Sequence, residues 1–255
     1  FREQFVRNKQ KPLPAVTFGG TYAVHSMFLT IQGEGPFSGD AAVFVRLEGC
    51  NLQCPLCDTD YTGGARAKPM SAAQVLTEVL ALTDQNKARL VVITGGEPFR
   101  QDLFSLVDAL MFGGFNVQIE TNGTMAPSEA FKDAFETTWL SAQNGAALII
   151  SPKANFVDPW IENKAIAYKY VLSHDSISPL DGLPIEVLNR RSNPVARPKH
   201  RFMQIFIQPA DPSMADLSFE EQGVVSKANH KAVIDSAIRF GYRAQLQIHK
   251  HFEVE

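Results

Sequence analysis

Short apolar runs separated by helical stretches constrain this chain more than any other feature. Ala42–Leu47, Leu90–Thr94, Asn116–Glu120, Ala147–Ser151, Ala167–Leu172 and Phe202–Ile207 read as strands, most of them too apolar to keep one face wet. Strands buried on both faces belong to parallel sheets covered by helices. Helices are expected between them. One is Ser71–Leu82, with Ser71 as N-cap and Val75, Val79 and Leu82 on one face; Leu103–Met111 and Lys227–Phe240 follow. Tyr22–Ile31 reads as an earlier β segment and Gln245–His249 as a last strand. About six strand–helix units are too few for a closed eight-stranded barrel. The expectation is therefore an α/β fold, an open partial (β/α)6 barrel. Residues 1–20 read as an N-terminal arm and 21–255 as one domain.

Chemically useful residues sit at the C-terminal ends of several of these strands: Cys50, Gly95, Thr121, Ser151 and Gln208. Their common position argues for one pocket. With 24 Lys+Arg against 27 Asp+Glu, the net charge is −3. No global basic field exists to recruit nucleic acid, and a small-molecule partner is expected. No stretch approaches the apolar length of a membrane span. Phe1–Gln10 lacks the apolar core of a signal peptide, so a cytoplasmic setting is expected. Residues 181–201 break the rhythm with Pro184, Pro194 and Pro198 among Arg190, Arg191, Arg197, Lys199 and Arg201. That composition suits a solvated connection, or an insertion that covers the pocket or meets a partner.

All three cysteines lie in one loop, as Cys50-x3-Cys54-x2-Cys57, directly after a strand. A tetrahedral zinc site needs a fourth ligand, and the nearest histidines in sequence are His25 and His174. Three thiolates can instead hold three irons of a [4Fe-4S] cluster and leave the fourth open to an exogenous ligand. A zinc site or structural cluster closed by a distant ligand is the competing reading.

The cysteine spacing together with Gly95-Gly96-Glu97-Pro98 after the next strand resembles the radical S-adenosylmethionine superfamily. The resemblance implies that the open iron chelates the amino and carboxylate groups of S-adenosylmethionine. Reductive cleavage then yields a radical that takes hydrogen from substrate. The chain departs from the usual pattern at Leu56, where an aromatic is common. By the same resemblance Gly95, Gly96, Glu97, Glu120, Asn122, Ser151, Lys153 and Gln208 are expected around the cofactor. Each also reads as an ordinary strand-end residue.

Within that superfamily, Gln32-Gly33-Glu34-Gly35, Phe44-Val45-Arg46-Leu47-Glu48-Gly49-Cys50-Asn51-Leu52, Cys57-Asp58-Thr59 and Leu246-Gln247-Ile248-His249-Lys250 resemble the 7-carboxy-7-deazaguanine synthase family. That resemblance implies ring contraction of 6-carboxy-5,6,7,8-tetrahydropterin with loss of ammonia, S-adenosylmethionine being regenerated. It implies a magnesium ion with Thr59 as ligand, and substrate contacts from Ile31, Gln32, Gly33, Glu34, Arg46, His249 and the terminal Glu255. No other side chain is expected to do chemistry. A homodimer and a flavodoxin or ferredoxin as electron donor are the expected partners. The residue chemistry is compatible: Glu34 can accept from a 2-amino-4-oxo edge, and Arg46 offers a planar fork to a carboxylate. Arg46 also reads as a surface ion-pair residue and His249 as a solvated tail residue. A glycyl-radical-enzyme activase and a non-catalytic metal-binding module are the alternative functions.

Overall fold

Alternation along the strands decides which side chains meet helices and which line the interior. A computed structural model describes residues 10–16, 19–55, 57, 59, 67–139, 145–186, 194–214, 217–252 and 254. In β2 (Ala41–Leu47), Val43, Val45 and Leu47 join the main core. Ala42 packs with Leu90, Val92, Phe37 and Phe44 on the opposite face. In β4 (Leu90–Gly95), Val91 and Ile93 face the helices. β5 (Asn116–Thr121), β6 (Ala146–Ile150), β7 (Ala167–Leu172) and β8 (Gln204–Pro209) repeat the scheme. Their outward residues, Val117, Ile119, Leu148, Ile150, Tyr168 and Tyr170 among them, are buried. Both faces are thus covered, which is why these runs read as apolar.

With β1 (Thr21–Ile31), β3 (Lys68–Ser71) and β9 (Arg243–Ala244), these strands form one sheet in the order β3-β1-β2-β4-β5-β6-β7-β8-β9. From β2 to β9 all neighbours are parallel. The ends of the order do not pair, so the barrel is open, as expected. β1, the earlier β segment, pairs antiparallel with both β2 and β3.

The outer layer begins with α1 (Ala72–Thr83), where Ser71 and Gln74 form a capping box and Val75 and Val79 are buried. α2 (Phe104–Phe112), α3 (Glu129–Ala134) and α4 (Pro159–Lys164) follow. Phe131 makes edge-on contacts with Phe99, Trp139 and Trp160, joining these elements over β4 and β5. α5 spans Phe219–Phe240 and begins well before the expected Lys227, because Ser218 and Glu221 cap it there. The expected last strand Gln245–His249 does not form. β9 covers only Arg243–Ala244, and α6 (Ile248–His251) replaces the rest. The turn at Gly35–Phe37 sends Phe37 between the two halves of the interior, where it floors the barrel.

Two segments are more ordered than their composition implies. Residues 10–16 lie against the cysteine loop: Leu13 N donates to Cys50 O at 2.8 Å and Val16 N to Arg100 O at 2.7 Å. In the basic Pro-rich stretch, 187–193 lie outside the described residues. Val195 and Ala196 are buried, Tyr170 donates to Ala196 O at 2.6 Å, and Arg197 pairs with Asp181 at 2.7 Å. Residues 195–197 are thus packed on the outside of β7, and none of the described residues of this stretch lines the cavity at the C-terminal end of the sheet.

Candidate active site

At the C-terminal end of the sheet a cavity of about 270 Å³ opens between the cysteine loop and the ends of β4 to β8. Its lining brings together Cys50, Cys54, Cys57, Gly95, Gly96, Glu120, Asn122, Ser151, Lys153, Gln208 and Glu34. All were expected at the site from sequence.

One wall is built by backbone. Beyond the last β2–β4 pairing, Gly96 N donates to Leu47 O at 3.1 Å and Glu97 N to Gly49 O at 2.9 Å. The cysteine loop and the Gly-Gly turn therefore continue the ladder of their strands. A Cβ on Gly96 would lie 1.9 Å from Gly49 O and 2.7 Å from Cys50 N, so only glycine permits this approach. Burial pushes the Cys50 thiol up to about 12, Glu97 adding to the effect. A thiolate there needs positive charge beside it, and iron supplies that. Among the described residues no three His, Cys, Asp or Glu side chains form the cage of a single metal ion. The three thiols share one cavity wall instead. A cube of iron and sulfide spreads its ligands wider than one ion does, so this donor set fits a cluster. Ser151 Oγ is buried without a partner beside it, a hydroxyl left for a ligand.

Glu97 does not line the cavity. Its buried carboxylate accepts from Thr121 Oγ1 at 2.6 Å, Asn122 N at 2.8 Å and Phe99 N at 3.1 Å, which ties the end of β4 to that of β5. Burial, partly opposed by those bonds, raises its pKa to about 7. Asn122 lines the cavity, but its amide is engaged internally: it donates to Asn51 Oδ1 at 2.9 Å and accepts from Thr124.

The opposite wall is a charge cluster. Lys169, buried on β7, donates to Glu34 Oε2 and to Glu120 Oε2, the latter at 2.9 Å. Gln208 and Gln247 donate to Glu34 Oε1 at 2.9 and 2.5 Å. Gln32 and Gln118 donate to Glu120 Oε1 at 3.1 and 2.8 Å. Burial alone would raise Glu34, but Lys169, with Gln247 and Gln208, holds its carboxyl down at about 2. Burial opposes the Lys169 charge in turn, yet Glu120 and Glu34 keep its pKa above lysine's ordinary value. The site thus places two carboxylates around one cation, a wall rich in acceptors.

The other expected substrate residues stand behind or beside this wall. Gln32 orients the Glu34 loop, its Oε1 accepting from Glu34 N at 3.0 Å. Ile31 ends β1 opposite Ala41. The His249 ring occupies the space that a Cβ on Gly33 would need. Arg46 donates to Thr59 Oγ1 and lies 5.9 Å from the Phe28 ring centroid. The two residues expected near a substrate carboxylate and magnesium are thus in contact, although neither lines the cavity. Leu56 and Glu255 lie outside the described residues.

Sequence reasoning missed Lys169 and Gln247. Lys169 had a signal: a charge inside the run Ala167–Leu172, in register with inward Ala167 and Val171. Gln247 had only its place two residues before His249.

The Radical SAM superfamily model matches residues 44–139. The chain is 37% identical over 241 residues to a 7-carboxy-7-deazaguanine synthase of Rhodospirillum rubrum, covering 92% of this chain and 94% of that protein. The same-named protein of Rickettsia prowazekii is 31% identical over 244 residues, covering 93% and 90%. The crystal structure of QueE from Escherichia coli superposes with a TM-score of 0.57 at 26% identity, covering 89% of this chain and 93% of that one.

Proposed function

The chain belongs to the 7-carboxy-7-deazaguanine synthase family of the radical S-adenosylmethionine superfamily, and on that premise we propose how its own residues serve the reaction. The protein is a lyase that contracts the ring of 6-carboxy-5,6,7,8-tetrahydropterin to 7-carboxy-7-deazaguanine with loss of ammonia, a step of queuosine biosynthesis. It works with a [4Fe-4S] cluster and S-adenosylmethionine. When bound and reduced by one electron from an external donor, this pair would supply a hydrogen-abstracting radical.

Cys50, Cys54 and Cys57 hold three irons and leave the fourth to the amino acid end of S-adenosylmethionine. The close-packed Gly95-Gly96 backbone, the unpartnered Ser151 hydroxyl, Lys153 and Asn122 receive that ligand's polar groups. Glu34 and Glu120 accept from the donor edge of the pterin; Lys169 bonds both and keeps Glu34 ionised, so that it accepts rather than donates. Gln208 and Gln247 fix the Glu34 rotamer. Arg46 binds the substrate carboxylate, with a magnesium ion held in part by the Thr59 hydroxyl, an oxygen donor of the kind that ion prefers. His249 backs the Glu34 loop through Gly33. A homodimer, a flavodoxin or ferredoxin donor and a cytoplasmic setting complete the reading. Among the described residues no helix is long and apolar enough to cross a membrane.

One observation carries this assignment: three soft thiols and the Glu34–Glu120 carboxylate pair line one cavity. The test is anaerobic reconstitution with iron and sulfide, followed by detection of 7-carboxy-7-deazaguanine from the pterin. A Cys54→Ala protein should make none. Product formation by that variant at the wild-type rate refutes the ligand assignment.

A further inference from the structure

The back of the cysteine loop carries a buried cation without a bonded counter-ion among the described residues. Arg100 is 5% exposed. Its hydrogen bonds among the described residues all go to carbonyl oxygens: Nη1 to Glu48 O at 2.9 Å, and Nε to Pro14 O at 2.9 Å and Leu13 O at 3.3 Å. The two nearby carboxylates are engaged elsewhere. Glu48 holds His25 at 2.7 Å, and Glu97 holds Thr121, Asn122 and Phe99. A guanidinium kept this dry, with carbonyls alone for bonds, costs stability unless its charge or its geometry is used.

Its position shows where that charge acts. Arg100 Nη1 would lie 2.2 Å from a Cβ on Gly49, the residue immediately before the first cysteine. Gly49 has φ +83°, so its glycine both turns the chain into the loop and makes room for the guanidinium. The strap that Arg100 holds reaches the same place. Leu13 N donates to Cys50 O at 2.8 Å, and the Gln10 amide, itself buried, donates there at 3.4 Å.

We infer that Arg100 is a positioning and charge-setting residue for the cysteine loop: it clamps the 10–16 strap behind Cys50 and raises the reduction potential of the cluster held there. The couple is the one-electron reduction of [4Fe-4S]2+ to [4Fe-4S]1+, with the electron taken from an external low-potential donor. Reduction adds one negative charge beside a fixed positive one, so Arg100 favours the reduced state. At an effective dielectric of about 20, two unit charges about 12 Å apart interact by roughly a factor of ten, the size of effect expected here. The inference rests on the reading of the three cysteines as cluster ligands.

The test is a redox titration of reconstituted full-length protein with dithionite and mediators, followed by EPR of the reduced cluster. Arg100→Gln should lower the reduced-to-oxidised ratio at fixed potential about tenfold, which is about 59 mV for one electron. Arg100→Lys keeps the charge and should stay within about twofold of wild type. Gln10→Lys keeps a donor at Cys50 O, adds a charge to the strap, and should shift the ratio upward. A wild-type potential in fully loaded Arg100→Gln protein, or an equal loss in Arg100→Lys, overturns the inference. If Arg100→Gln holds no cluster, Gln10→Lys decides: an upward shift supports the inference and no shift overturns it. Failure of the wild-type protein to assemble any cluster would refute the cluster reading itself, a result distinct from an insensitive potential.

Discussion

Lys169 is the residue whose removal should be felt most widely. In Lys169→Met the chain keeps the bulk and loses the cation between Glu34 and Glu120, two side chains only 15% and 16% exposed. The magnitude follows from Glu34. Its carboxyl moves from 4.5 in the unfolded chain to about 2 in the fold, chiefly through Lys169 acting against burial. At about 1.4 kcal/mol per unit this difference is worth about 3 kcal/mol near neutral pH. Breaking a buried ion pair from one side costs about 3–5 kcal/mol, so the two routes agree. For a chain of this length the loss corresponds to roughly 6–12 °C in Tm. The sign with pH differs between the proteins. Wild type keeps this contribution above about pH 4.5 and loses it as pH falls toward about 2, because the folded pKa is depressed. In the variant, two buried carboxylates share a site, so one takes a raised pKa, and its cost grows as pH rises. Thermal melts of the apo-protein near pH 7 and near pH 5, followed by circular dichroism, check both points. The deficit should be large near neutrality and smaller in mild acid. An unchanged Tm at neutral pH, or an equal deficit at both, would show that Lys169 does not hold the pair.

Further expectations concern the other wall and the pocket's edge. Gly96→Ala puts a methyl into the backbone of Gly49 and Cys50; cluster content after reconstitution should fall severely, and a normally loaded variant would show that the loops can part. Thr59→Ala should blunt the magnesium response of turnover and leave the iron–sulfur spectrum intact, whereas a wild-type response removes Thr59 from the metal site. Glu97 binds its proton more tightly folded than unfolded, so its contribution to stability declines as pH rises from about 4.5 to about 7. Glu97→Gln should flatten that part of the stability–pH curve, and a curve parallel to wild type would refute the raised pKa.

What was legible in the sequence followed from local rules. The apolar strands, Ser71 as N-cap and the gathering of Cys50, Gly95, Thr121, Ser151 and Gln208 on one rim needed only periodicity and strand-end position. What was not legible depended on partners far along the chain. Glu34 meets Lys169 across 135 residues and Gln247 across 213, and no spacing rule reaches that far. Glu97 sits in a motif expected to touch ligand, but a free strand end at Thr121 claims its carboxylate. The strap at 10–16 has no pattern of its own, since Arg100 and Cys50 supply its bonds. β9 stops after Ala244 because Gln245 turns in to Gly35 and Gln208, and Ile248 N bonds Gly33 O.

The continued ladder between the cysteine loop and the Gly-Gly turn has a mechanical consequence. Leu47 with Gly96 and Gly49 with Glu97 are joined as two rungs of a sheet are joined, so the two loops translate together. The cysteines proposed to hold the iron and the Gly95-Gly96 backbone proposed to meet its organic ligand are therefore joined by one backbone ladder. On the far side, α6 is tied to Gly33 by the Ile248 N–H and to Glu34 and Asp211 by the side chains of Gln247 and Lys250. The cysteine loop and the Gly-Gly turn are thus fastened by main chain, whereas the wall opposite is fastened mainly by the side chains of Gln247 and Lys250.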